Sequence, residues 1–172
     1  GIVLNNFNSI QFGEPDLQNA LSHNISLFYN SFNLFNYTNV FARLAYTKNI
    51  DQIRGLTNFE NVITTSTFFN SNFADENVSA NGRVQRTFGK LRASVSTNFN
   101  YSKNNQFIQG RQSVNERFTQ SYTPGLRTNF KVAPNVRLRY QYSINTNNQG
   151  TNKTVFYTNA PSIDFDAYIL KS

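Results

Sequence analysis

From Val136 to Asn145 the sequence alternates without a break. Val136, Leu138, Tyr140, Tyr142 and Ile144 are apolar or aromatic, and Arg137, Arg139, Gln141, Ser143 and Asn145 between them are polar. Only an extended backbone sorts these into two sets, because successive side chains of a strand point to opposite faces. A helix of the same sequence would scatter them around its circumference. Leu91 to Tyr101 repeats the pattern, with Leu91, Ala93, Val95, Phe99 and Tyr101 against Arg92, Ser94, Ser96, Asn98 and Asn100. Asn77 to Phe88 and Tyr122 to Val132 follow it. Asn39 to Lys48 follows it with Phe41 on the polar side. In Asn24 to Leu34 the alternation slips between Tyr29 and Phe32, which predicts a β-bulge there.

The connections alternate in length. Phe88-Gly89-Lys90-Leu91, Val132 to Val136 and Phe35 to Thr38 read as tight turns, with Gly, Pro and Asn supplying the dihedrals. Asn49 to Glu76, Ser102 to Gln120 and Thr146 to Thr154 read as long polar loops. Short turns at one end of a sheet and long loops at the other are the pattern of outer-membrane barrels. A soluble β-sandwich or β-helix would also alternate, but it has no reason to gather its long loops at one end. Pro124 is expected near the loop end of its strand, where an irregularity accommodates it. Phe88, Tyr46, Tyr101 and Tyr122 are expected near strand ends on the apolar side, where a bilayer interface favours aromatics.

Composition agrees. Aromatics make up 15% of the 172 residues, with 17 Phe, 9 Tyr and no Trp. That load excludes a disordered chain, and the many Asn, Ser and Thr residues do not suit a soluble helical domain. Mean hydropathy is −0.51 and no segment is apolar enough for a membrane helix. A membrane strand needs only alternate apolar residues, so low hydropathy does not exclude a membrane. Gly1 begins no signal peptide, and the chain is expected to be a fragment of a longer one. The fold class expected is all-β, an antiparallel transmembrane β-barrel segment of about seven strands. Residues 1–172 are expected to form one partial outer-membrane β-barrel domain, with 1–20 a loop entering the first strand.

Little points to catalysis. There is no Cys, which removes thiol chemistry, disulfides and Cys-based metal sites. His23 is the sole histidine and would have to serve as the base of any lipase-type set. A place at the rim of the first strand suits it better. Asp164 and Asp166 flank Phe165 as a wet strand face would, rather than as a metal pair. The chain is read as no enzyme, with no cofactor and no metal. Charge is more informative, at a net +7. Arg43, Arg83, Arg92, Arg127, Lys131, Arg137 and Arg139 all fall on the polar side. The aromatics fall mainly on the other side, so no stacking platform with interleaved charge forms and nucleic acid is not an expected partner. A basic wall of this kind attracts anionic solutes or pairs with acidic residues of a domain inside the barrel.

Gln11-Phe12-Gly13-Glu14-Pro15-Asp16-Leu17-Gln18, followed by Ser22-His23-Asn24-Ile25-Ser26-Leu27, resembles a stretch of TonB-dependent outer-membrane receptors. There a Gly-Asn-Pro-x-Leu-x-Pro-Glu run precedes a strand of the form Ser-x-Asn-x-x-x-Gly-Tyr. Gly13, Pro15 and Leu17 match. Glu14 replaces Asn, Asn19-Ala20 replaces Pro-Glu, and Phe28-Tyr29 stands for Gly-Tyr. The rest resembles, by pattern more than by identities, the C-terminal barrel region of such receptors in the Bacteroidetes style. The resemblance implies a 22-stranded barrel with a plugged lumen in the outer membrane of a Gram-negative cell. It also implies uptake of a scarce nutrient (a metal chelate, glycan or peptide), with outer-membrane lipid, the protein's own plug domain, the TonB system and the nutrient ligand as partners. The plug and N-terminal domains are absent from these residues. The alternative is a passive or structural outer-membrane barrel without a plug.

Overall fold

The computed structural model describes residues 2–6, 9–12, 18–60, 63–108, 111–131 and 134–166. All the regular structure in them is β. The strands are β1 (Ile2–Asn6), β2 (Ser9–Phe12), β3 (Leu21–Asn33), β4 (Thr38–Ile50), β5 (Gln52–Glu60), β6 (Ile63–Ser71), β7 (Asp75–Phe88), β8 (Leu91–Ile108), β9 (Arg111–Thr128), β10 (Asn135–Gln149) and β11 (Asn152–Asp166). Seven of them, β3, β4, β7, β8, β9, β10 and β11, lie side by side in that order, each antiparallel to the next. The sheet is open, with β3 at one edge and β11 at the other.

Cross-strand partners share a face, so the register turns each strand's alternation into two continuous surfaces. Val40, Val84, Val95 and Pro124 form one row on the apolar face, and Leu44, Ala80 and Phe99 form another. Arg43, Asn81, Asn98, Ser121, Ser143 and Thr158 form a row on the polar face. Among the described residues nothing covers the apolar side. Among the described residues no hydrophobic side chain is buried, and Val84 and Val95 are half exposed in mid-sheet.

The expected bulge in β3 does not occur. Its pairing with β4 runs in unbroken register from Leu21–Ile50 to Asn33–Thr38. The slip has another cause. Phe28 and Phe32 sit on the polar face, where Phe28 meets the misplaced Phe41 edge-on at 5.4 Å between ring centroids. Pro124 does not lie at a loop end either. It stands in register with Val95, and the β9–β10 pairing continues in the same register on both sides of it, from Arg139–Gly125 to Tyr142–Tyr122.

The three long loops are a larger correction. Two are extensions of the strands themselves. β8 and β9 pair from Leu91–Thr128 to Ile108–Arg111. β10 and β11 close on a two-residue turn, Gly150-Thr151, beyond the Gln149–Asn152 pair. The third holds the β5–β6 hairpin, which adjoins β8 through one parallel bridge, Thr57–Ile108. The expected entry loop 1–20 includes β1 and β2, with β2 parallel to β6. The Gly13 to Leu17 part of the receptor-like motif lies outside the described residues, as do Val132 and Ala133.

The opposite end turns tightly. Gly89 follows Phe88 there with φ 58°, and Gly150, in the β10–β11 turn at the other end, has φ 60°. Hairpin turns whose twist matches the strands require this left-handed region at the first central position, and glycine enters it without a Cβ penalty. Leu34 to Tyr37 make another turn at the Gly89 end. Asn33 Oδ1 accepts from the Phe35 amide at 2.9 Å, and Asn36 Oδ1 accepts from the Thr38 amide at 3.1 Å.

Candidate functional site

The polar face gathers five arginines at the tight-turn end. Arg92, Arg127 and Arg137 are direct neighbours across β8, β9 and β10, in a row closed by Thr87 and Asp164. In the next row Gly125 stands between Ser94 and Arg139. Arg83, one row further, gives Nη2 to Gln85 Oε1 at 2.9 Å. Together these residues line a shallow hollow of about 310 Å³. Gly125 forms its floor. A Cβ there would come within 3.2 Å of Ser94 Oγ and 3.5 Å of Arg139 Cγ, so the glycine supplies room rather than an unusual backbone angle.

Among the described residues, counter-charge at this hollow comes from the edge strand β11. Asp164 Oδ2 lies 3.1 Å from Arg139 Nη2, and Asp166 Oδ2 lies 3.8 Å from Arg127 Nη2. Both pairs are half exposed and worth at most about 1 kcal/mol. Arg92 Nε is buried without a hydrogen-bond partner. Like charges directly opposite one another destabilise a sheet, so this row leaves positive charge uncompensated.

Five of the seven predicted basic residues, Arg83, Arg92, Arg127, Arg137 and Arg139, therefore converge on one hollow. Arg43 shares the face but sits on β4 between Phe28 and Asn81. Lys131 does not share it, because β9 ends at Thr128 and Lys131 falls in the following turn. Sequence reasoning missed Gly125, whose role depends on the strands either side of it.

The apolar face has ordered limits. Tyr46, Val78, Tyr101 and Phe118 are successive neighbours across β4, β7, β8 and β9. Immediately beyond them runs a polar row with five charged residues: His23, Lys48, Glu76, Lys103, Glu116, Asn148 and Lys153. His23 lies near the start of β3, opposite Lys48. At the other limit are Phe88 and Leu91, with the Arg86 guanidinium 4.8 Å above the Phe88 ring. Tyr122 is not at a limit. It lies mid-face, edge-on to Phe99 at 5.7 Å. Two hydroxyls within the face have partners: that of Tyr122 donates to Gln120 Oε1 at 3.2 Å and that of Tyr140 to Asn159 Oδ1 at 2.6 Å.

A second polar cluster ties the β5–β6 hairpin to the sheet. Arg54 Nη2 is 2.6 Å from Asp75 Oδ1, and Arg54 Nη1 donates to the Asn105 carbonyl. Asn105, only 3% exposed, donates its amide to Asp75 at 2.8 Å and its Nδ2 to the Ala74 carbonyl at 2.9 Å, and accepts from Gln112 at 2.9 Å. Phe69 and Phe73 pack on Phe107 beside it. Among the described residues no group of His, Asp or Glu could hold a metal ion. Compared with protein-family models, curated proteins and solved structures, the chain matches none.

Proposed function

We propose that this sheet is a segment of an outer-membrane β-barrel whose apolar face meets lipid and whose basic face lines the lumen. The observation that carries this reading is the uncovered apolar face, bounded by aromatics at both limits and by a charged row beyond one of them. Its dimension fits. From Leu91 to Tyr101 the strand advances ten residues, about 33 Å at 3.3 Å each, and a tilt of about 40° reduces that to about 25 Å, the height of a barrel's apolar band. Seven strands with two free edges cannot stand in hydrocarbon, where each unpaired backbone group costs several kcal/mol, so further strands must close the barrel.

The receptor-like stretch ahead of β3 supports a barrel of the TonB-dependent type, with about 22 strands and a plug, taking up a scarce nutrient. Cysteines at Thr151 and Lys90 in the full-length protein test the topology. On whole cells an impermeant thiol reagent should modify Thr151→Cys, while Lys90→Cys should react only after the envelope is broken. Equal labelling of both, or recovery of the protein outside the membrane fraction, would overturn the reading. A large ohmic current from the intact protein in planar bilayers would replace the plugged transporter with a passive channel.

A further inference from the structure

We propose that the hollow over Gly125 binds a small solute carrying two or more phosphate or carboxylate groups. The inference rests on reading this face as a lumen wall, and it names the chemistry of what that wall holds. Neighbouring strands lie about 4.8 Å apart, so three aligned arginines span about 10 Å. One oxyanion bridges two neighbouring guanidinium groups, and a second, joined to it by a short linker, reaches the third. Guanidinium forks suit such oxygens because each offers two parallel N–H donors.

The counter-charges sit off to one side. Asp164 serves Arg139 and Asp166 serves Arg127, whereas no carboxylate lies within 4 Å of Arg92, Arg137 or Arg83 among the described residues. Arg92 Nε also lacks a partner. Space is available because Gly125 presents no side chain between Ser94 and Arg139. The volume suits a small molecule, which favours a solute over an acidic polypeptide surface. The opposite face carries the apolar band, so a lipid headgroup would have to approach from the wrong side.

The test is a calorimetric titration of the full-length protein in detergent with citrate and with pyrophosphate, using chloride as the control. Saturable binding of at least one polyanion is expected. Arg127→Gln and Arg137→Gln should each weaken it about tenfold or more. Gly125→Val should abolish it by filling the hollow. Arg117→Gln, on the same face but beyond the hollow, should leave affinity within about twofold. Because the row repels itself, Arg127→Gln should not lower the melting temperature of the anion-free protein, and should remove the rise that citrate gives.

Absence of saturable binding, or an equal loss in Arg117→Gln, would overturn the proposal. So would binding that appears only after deletion of another segment of the protein, since the arginines would then belong to an acidic internal partner. Loss of citrate binding in nanodiscs of anionic lipid, but not of zwitterionic lipid, would assign the row to headgroups. Failure of the barrel reading itself would look different, with protein missing from the membrane fraction whatever its affinity for anions.

Discussion

Lys48 faces Glu76 across β4 and β7, with Nζ 3.9 Å from Oε1. The pair belongs to a row that continues through Lys103 and Glu116 and ends the apolar face one row beyond Tyr46 and Tyr101. If lipid covers that face, the row marks where hydrocarbon stops. Nitroxide labels at Lys103 and Val95 in the full-length protein should separate accordingly: Val95 accessible to oxygen, Lys103 to a water-soluble relaxation agent. Equal accessibility at both positions would contradict the placement.

Val95 and Ser96 are adjacent in sequence and opposite in surroundings. On the barrel reading proposed above, Val95→Arg should destabilise the protein by about 2 to 4 kcal/mol, since it lies well inside the apolar face, and Ser96→Arg by under about 1 kcal/mol. A lipid-reconstituted folding titration measures both, and equal costs would mean the faces are wrongly assigned.

Arg54 and Asp75 are about 13% and 14% exposed, enough burial for the loss of one partner to strand the other. Arg54→Gln and Asp75→Asn should each lower the local stability of the β5–β6 hairpin by about 2 to 3 kcal/mol, near the low end for a buried pair. The double variant should lose little more than either alone. Amide hydrogen exchange of β5 and β6 reads this out, and additive losses would show that the two act separately.

Gly89→Ala and Gly150→Ala force a Cβ into the left-handed region. Each should cost about 1 to 2 kcal/mol in a denaturant titration. Lys90→Ala, next to Gly89 but without a positive φ, should stay within about 0.5 kcal/mol.

The sequence by itself determined the strands wherever the two faces meet different surroundings. From Leu91 to Tyr101 and from Val136 to Asn145, alternation encodes both the extended backbone and the assignment of each side chain to a face, because the side-chain period of a strand is two. It also located the tight turn at Gly89 and the basic side of the sheet. Beyond Tyr101 the signal disappears while the strand continues, as Ser102, Lys103, Asn104, Asn105 and Gln106 are polar on both sides. Hydropathy reports what each face meets, not whether the backbone is extended, so strand ends with polar residues on both sides read as loops. Phe28 and Phe32 produced the opposite error: apolar side chains on the polar face looked like a bulge until pairing with β4 fixed the register. Only the tertiary structure decided which arginines meet. Arg92 is far from Arg127 in the chain, and these two and Arg137 become neighbours through the register of two hairpins. The space at Gly125 and the Arg54–Asp75–Asn105 junction likewise arise from contacts between strands, which no local pattern encodes.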